Sequence, residues 1–524
     1  MDGLMMQTPL LVRHIAERAE AVFAGREIVS RTQDGIERTT YAELVGRARR
    51  LASALTALGI ERGDRVATFG WNSRRHLELY MAVPALGAVL HTVNIRLFED
   101  DLRYIVGHAR DRIVFLDSSL AEVMPSFAGV EHEVLMPDGP GSRAGALDYE
   151  ELVAGGDPGF EFPDLPESAA AAMCYTSGTT GRPKGVVYSH RSTVLHSLGV
   201  NQADAMGLRE RHSVMPVVPM FHANAWGIPY AAALSGSRLV LPGPRMAPAD
   251  LAELIAAERV THSAGVPTVW QGIAHLEDPP DLSSLEEIMA GGSAVPESLI
   301  RTFDERFGVP IMQGWGMTET SPLAATSRVP TGVDPASDEA YRIRAAQGRP
   351  QPLVETRIDA STGGELLIRG PWVAQAYYAD DEGADKFTPD GWLRTGDVAE
   401  LLDGHVIKLV DRTKDLVKSG GEWISSVELE NAIMAHPEVA EAAVIAVPDE
   451  RWSERPCACV VRRAGSTLDA EGVREFLLGH VAKWWLPDRV EFIDEVPKTS
   501  VGKFDKKVLR ARFSGDPHVP VDPA

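Results

Sequence analysis

The chain has 524 residues, 44% of them hydrophobic and 24% charged, with a formal charge of −22. That length exceeds what one hydrophobic core serves, so two or three domains are expected, and the composition is that of an ordered globular protein. The acidic excess repels polyanions and argues against a nucleic-acid partner, while three cysteines, Cys174, Cys457 and Cys459, give neither a disulfide framework nor a four-ligand zinc site.

At the N-terminus, residues 1–11 carry Asp2 and no basic segment before a long apolar stretch, so no signal peptide is predicted. Residues 41–58 place Leu44, Ala48, Leu51, Leu55 and Leu58 on one helical face, with Thr40 as a cap and Gly59 as a stop, and 65–69 reads as a strand. The apolar windows at 80–90 and 226–234 are short and interrupted by Pro84 and Pro229, so no transmembrane helix is expected. Residues 113–116, 170–175, 238–241 and 285–290 read as strands, and 249–258 and 296–307 as helices. This alternation predicts a layered α/β domain. From Gly364 the pattern changes to short strands at 365–369 and 405–410, a small β subdomain. The charged run Asp411-Arg412-Thr413-Lys414-Asp415 follows, then an α+β tail with a helix at 427–435 and a strand at 442–447. The predicted division is therefore 1–410, a linker at 411–415, and 416–524.

Between the strand at 170–175 and a predicted helix lies Tyr175-Thr176-Ser177-Gly178-Thr179-Thr180-Gly181-Arg182-Pro183-Lys184-Gly185-Val186. Such a segment suits a polyphosphate: glycines let backbone N–H groups approach, hydroxyls donate, and Lys184 neutralises charge. It is not a Walker A sequence, because Pro183 breaks the required Gly-Lys-Ser/Thr ending.

Here the sequence resembles the adenylate-forming superfamily of acyl-CoA synthetases, luciferases and peptide-synthetase adenylation domains. The resemblance extends over about 5–513 through Pro219-Met220-Phe221-His222-Ala223-Asn224-Ala225-Trp226, Gln313-Gly314-Trp315-Gly316-Met317-Thr318-Glu319-Thr320 and Gly391-Trp392-Leu393-Arg394-Thr395-Gly396-Asp397. Ser419-Gly420-Gly421-Glu422-Trp423-Ile424-Ser425 and Pro497-Lys498-Thr499-Ser500-Val501-Gly502-Lys503 complete the series, and five motifs in order are highly specific. The phrases around Trp226 and Trp423 are most similar to medium- and long-chain fatty acyl-CoA synthetases and to relatives acting on methylthiopropionate.

The resemblance implies a fold of α/β class: a large N-terminal domain of stacked mixed sheets flanked by helices plus a β subdomain, with a small mobile C-terminal α+β domain. It implies ligation of a fatty acid to coenzyme A through an acyl-AMP, with ATP and Mg2+. A CoA ligase for a short thioether or aromatic acid, and an inactive acyl-nucleotide-binding protein, stay open as alternatives. By matching, Thr176 and Glu319 approach Mg2+; Thr176, Ser177, Gly178, Thr179, Thr180 and Lys184 meet the phosphates; and Trp315 covers the adenine face. Gly292, Ser293, Gln313, Gly314, Gly316, Met317 and Thr318 join the ATP/AMP site, and Asp397 and Arg412 hold the ribose. An isolated Thr-Gly-Asp would read as an Asx turn, and only its place in the series raises Asp397 to a ligand.

Lys503 matches the lysine that bridges the substrate carboxylate and the α-phosphate, so Lys503, Glu319, Thr176 and Lys184 form the expected catalytic set. His222, Ala223, Trp226, Gly227 and Gly316 are expected at the acyl pocket, Lys414 at the hinge, and Ser419, Gly420, Gly421, Glu422 and Trp423 on the CoA side. Ser189, before His190, lacks a nucleophile-elbow context and is read as structural. Expected partners are small-molecule substrates alone, with cytoplasmic localisation; a homodimer and peripheral membrane attachment stay open.

Overall fold

The computed structural model describes residues 1, 3–176, 182–380, 382–419, 422–449, 451–499 and 504–513. Two large mixed sheets are built from the first 350 residues. One has seven strands in the spatial order Leu147–Asp148, His132–Met136, Asp111–Asp117, Arg65–Phe69, Val89–Thr92, Ala170–Tyr175 and Gly185–Ser189. The other has nine: Arg349–Pro350, Leu323–Thr326, Ile311–Gly316, Glu287–Gly291, His262–Gly265, Ser213–Pro216, Arg238–Leu241, Glu27–Arg31 and Ile36–Thr40. Neighbours inside each sheet run parallel and antiparallel pairs lie toward the edges.

One buried core joins the two sheets through the helices Val12–Phe23, Tyr41–Ala57 and Arg74–Leu86. In Arg74–Leu86 every residue after Arg74 is buried, the pattern of a helix covered on all sides. Tyr41–Ala57 begins with a capping box: the Thr40 hydroxyl accepts the Glu43 N–H at 3.3 Å and the Glu43 carboxylate accepts the Thr40 N–H at 2.9 Å. Thr40 thus caps the helix as its sequence predicts, and Gly59, at φ 80°, follows its end.

The expected β subdomain is a four-stranded antiparallel sheet of Glu355–Asp359, Glu365–Arg369, Leu393–Leu402 and Val406–Arg412. It starts before Gly364, and its last strand continues through Asp411 and Arg412, because Val398 and Asp397 still pair with them. The tail is a five-stranded sheet that includes Val439–Asp449 and Ser453–Arg462, packed on Ser426–Met434 and Lys506–Phe513.

One expectation is corrected. Residues 176–184 do not join a strand to a helix but two antiparallel strands, Ala170–Tyr175 and Gly185–Ser189, because Val186, Val187 and Tyr188 favour a pleated surface before His190–Val200 starts. Ser189 caps that helix, its hydroxyl accepting the Ser192 N–H at 3.0 Å, which agrees with a structural role. No helix among the described residues is long and apolar enough to cross a membrane.

Candidate functional site

A cleft of about 640 Å³ opens where the two large sheets, the β subdomain and the charged junction meet. It shares wall residues, Gly292, Trp315 and Arg412 among them, with a recess of about 290 Å³. Ser177, Gly178, Thr179, Thr180, Gly420, Gly421 and Lys503 lie outside the described residues.

The hairpin ends at 176 and 184 are clamped to one another. Thr176 donates its N–H to the Lys184 carbonyl at 2.9 Å, and its hydroxyl accepts the Lys184 N–H at 3.0 Å. Thr176 and Lys184 both line the cleft. The Lys184 ammonium pairs with Asp380 at 2.7 Å and stands 5.1 Å from the Tyr377 ring centroid, so a phosphate reaching it would compete with Asp380. Neither Asp380 nor Tyr377 was among the expected site residues, since both lie far along the chain from the hairpin.

Opposite, Ile311–Gly316 carries Gln313, Gly314, Trp315 and Gly316 to the cleft, and the turn Thr318–Thr320 presents Glu319. A side chain at Gly316 would lie 1.7 Å from the Pro322 carbonyl oxygen, so only glycine permits this bulge. Glu319, 7% exposed, accepts the Tyr377 hydroxyl at 2.6 Å. Burial first and Glu319 second push the Tyr377 phenol up, which keeps it a donor. The Gln313 amide oxygen accepts the Val295 N–H at 2.8 Å and so props the turn that bears Gly292 and Ser293. Met317 and Thr318 line the same wall as Trp315.

Asp397 and Arg412 face one another across adjacent strands, with the guanidinium Nε–H donating to Asp397 Oδ1 at 2.9 Å. The other oxygen, Oδ2, is buried and has no hydrogen-bond partner among the described residues, and Asp397 as a whole is 2% exposed. A carboxylate left half-satisfied at the edge of a recess is a site for donors, such as a pair of hydroxyls.

The apolar end is formed by His222, Ala223 and Trp226. Ala223, Asn224, Ala225, Trp226 and Gly227 all have positive φ, between 35° and 72°, and four of them are not glycine. Each such residue costs on the order of 1 kcal/mol or more. Side-chain contacts of Asn224 offset that cost: its Oδ1 accepts the Cys174 thiol at 2.7 Å and the Thr92 hydroxyl at 3.2 Å. Burial pushes the Cys174 thiol up to about 11, so it stays a donor. The turn aims the Trp226 indole at Gly291, where any added side chain would come within 3.2 Å of the ring. Gly227 departs from expectation: it packs on the His196 ring, 2.6 Å from where a side chain would begin, and is not among the residues lining the cleft.

Lys414 lines both the cleft and the recess, and so do Gly292 and Gly316. Thr499 and Phe504, on either side of 500–503, line the recess together with Ser293, Gln313 and Asp397. Ser419, Glu422 and Trp423 are not brought there: the Ser419 hydroxyl accepts from Arg455 at 2.9 Å, and Trp423 is 48% exposed with Lys418 over its ring.

Two clusters that sequence reasoning missed lie outside the main cleft. Buried His91 donates from Nδ1 to Asp111 at 2.8 Å, while its Nε2 has no partner among the described residues; the ring borders a cavity of about 20 Å³ shared with Thr176 and His222. His212, His262 and Glu286 bring possible ligand atoms within 4.8 Å of one another. The His212 Nδ1 accepts the Arg209 N–H at 3.1 Å, which puts the proton on Nε2, and Arg211 holds both Glu286 oxygens at 2.8 and 2.9 Å. That arrangement offers a cation one imidazole lone pair and an already neutralised carboxylate, which suits packing better than metal binding.

The chain matches the AMP-binding enzyme family over residues 16–378 and the AMP-binding enzyme C-terminal domain over residues 428–503. A long-chain-fatty-acid–CoA ligase of Thermus thermophilus is 47% identical over 529 residues, covering 97% of this chain and 96% of that one. A 3-methylmercaptopropionyl-CoA ligase of Ruegeria pomeroyi is 46% identical, covering 98% and 99%. The crystal structure of the anthranilate CoA ligase AuaEII in complex with anthranoyl-AMP superposes with a TM-score of 0.86 at 26% identity, covering 96% of this chain and 98% of that one. Both halves of the sequence carry these matches, and the chain belongs to the AMP-binding enzyme family of adenylate-forming enzymes.

Proposed function

We propose that the chain ligates a medium- or long-chain fatty acid to coenzyme A in two steps. The acid's carboxylate oxygen attacks the α-phosphorus of ATP, giving acyl-AMP and pyrophosphate; the CoA thiol then attacks the acyl carbon, loses its proton, and AMP leaves. The observation that carries this reading is that Trp315 lines both the recess with the unpartnered Asp397 oxygen and the cleft that Trp226 borders.

In this reading Asp397 and Arg412 take the ribose, Trp315 stacks on adenine, and Lys184 exchanges Asp380 for phosphate. Thr176 and Glu319 stand on the same cleft, and Glu319 accepts from Tyr377 on only one carboxylate oxygen among the described residues, so the pair fits an oxygen-seeking cation. They would hold Mg2+, which supplies neutralising charge to the triphosphate. Lys503 stabilises the charge that spreads over the phosphoryl oxygens during the first attack. Residues 1–410 form the nucleotide- and acid-binding part and 416–524 a part that turns about Lys414 in the linker 411–415, bringing Ser419, Glu422 and Trp423 to the acyl-AMP for the second step.

Coenzyme A-dependent AMP release across a panel of acids tests the substrate. Turnover should rise from butyrate to medium and long chains. The Ruegeria relative and the bulky indole of Trp226 in the cleft wall favour a second reading, a short thioether acid, and peak activity on 3-methylthiopropionate would select it. Replacing Trp226 by Ala should shift the optimum toward longer acids with little change in the KM for ATP, since removing the indole enlarges the cleft it lines. An unchanged chain-length profile with a lowered Tm would make it a packing residue instead, at a cost of about 3–5 kcal/mol.

A further inference from the structure

Buried charges that the proposed chemistry does not use are concentrated where the two parts of the chain meet. Asp411, on the strand Val406–Arg412, is 3% exposed. Its two oxygens accept the Arg412 N–H at 2.7 Å and the Ser426 N–H at 2.6 Å. Ser426 opens the helix Ser426–Met434, and its hydroxyl accepts the Lys506 ammonium at 2.6 Å. Lys506 also pairs with Glu430 at 2.7 Å, and the same Glu430 oxygen accepts the Val444 N–H at 2.7 Å. Beside them the Ser425 hydroxyl donates to the Val410 carbonyl, and Arg510 pairs with Asp415. Burial works against the Lys506 charge, but Glu430, Asp411 and Asp415 outweigh it and hold the ammonium above its ordinary range.

The placement of these groups matters more than their number. Val410 and Asp411 precede Lys414, whereas Ser425, Ser426, Glu430 and Lys506 follow it, so the contacts span the residue proposed as the pivot. Lys506 also begins the helix Lys506–Phe513, and it lines the nucleotide recess together with Asp411, Asp415, Glu430, Thr499 and Phe504. Lys498 and Phe504 are joined by an antiparallel bridge, which ends two residues before Lys506. The neighbouring Lys498, by contrast, makes a half-exposed pair with Glu441 on the tail itself.

We infer that Asp411 and Lys506 are positioning residues for acyl-AMP formation: the chain of contacts Asp411–Ser426–Lys506–Glu430 clasps the two parts across Lys414 and opens before the thiol step. Rotation about Lys414 carries Ser426 and Lys506 away from Asp411, so the clasp stabilises the arrangement seen here and opposes the other. This rests on the two-step function proposed above.

The test compares the two half-reactions in the full-length protein. Lys506→Met combined with Glu430→Gln removes both members of the ion pair and leaves Asp411 its two backbone N–H donors, and Asp411→Asn removes the third group at nearly constant volume. Each variant is assayed for acid-dependent ATP–pyrophosphate exchange and for CoA thioester formation from supplied acyl-AMP, with its thermal transition and small-angle X-ray scattering recorded beside the parent. Exchange should fall at least about tenfold further than thioester formation in the double variant, with a smaller shift of the same sign for Asp411→Asn and a scattering profile moved from the parent's. Equal losses in both half-reactions, or no loss in either, would overturn the clasp. Should the double variant fail to fold, the same ratio in Asp411→Asn decides. A parent that exchanges pyrophosphate with no acid would reject the proposed function instead, and the clasp would then stand or fall on the scattering profile alone.

Discussion

Lys503→Ala should abolish acyl-AMP formation and leave CoA transfer to supplied acyl-AMP nearly intact. Attack of a carboxylate on the α-phosphate brings two anions together, and the charge that develops on the phosphoryl oxygens needs a cation held in place before the reaction starts. Removing such a group costs on the order of 3 kcal/mol or more, at least about a hundredfold in rate. The residues flanking 500–503 support this assignment, since Thr499 and Phe504 line the recess that holds Gln313 and Asp397. The second step has no need of that cation, because AMP is already bonded to the acyl group and the thiol attacks carbon. Pyrophosphate exchange and thioester formation from synthetic acyl-AMP separate the two; equal loss in both would reject the role.

Local chemistry made much of the fold legible. Thr40 before an apolar stripe announces a capped helix, and the mainly apolar runs at 113–116 and 238–241 lie within or on the strands Asp111–Asp117 and Arg238–Leu241. The strand Gly185–Ser189 escaped because it is one half of a hairpin whose pairing partner, Ala170–Tyr175, is needed to see it. The turn at 223–227 was legible as a motif but not as a shape: Ala223, Ala225 and Trp226 have no intrinsic preference for left-handed backbone, and Cys174 and Thr92, distant in sequence, hold it through Asn224.

The candidate site divides in the same way. Residues inside contiguous motifs, such as Trp315 and Glu319, line the cleft, while Tyr377 and Asp380, which contact Glu319 and Lys184, join it only through tertiary contacts. Lys506 illustrates the limit best. In sequence it is one basic residue among Lys498, Lys503 and Lys507, a pattern that reads as a solvated tail. Burial separates them: the Lys506 side chain is 10% exposed and joined to Glu430, whereas that of Lys498 is 39% exposed.

Asp397→Asn should raise the KM for ATP by roughly ten- to a hundredfold, the equivalent of about 1.5–3 kcal/mol for hydrogen bonds made to a charged acceptor. The Arg412 Nε–H keeps its acceptor on the amide oxygen at the Oδ1 position, which directs the new NH2 group to the position of the unpartnered Oδ2. A donor then meets the ribose hydroxyls where a carboxylate oxygen had accepted from them, and the side-chain volume is nearly unchanged, so the melting transition should move little. The decisive comparison is a cycle with 2′,3′-dideoxy-ATP, in which the ligand lacks the hydroxyls that the substitution addresses. The parent should lose affinity for the dideoxy nucleotide by about the same factor as the variant loses for ATP, and the two changes together should cost little more than either alone. Additive losses would show that Asp397 acts on Arg412 or on the fold and does not receive the ribose.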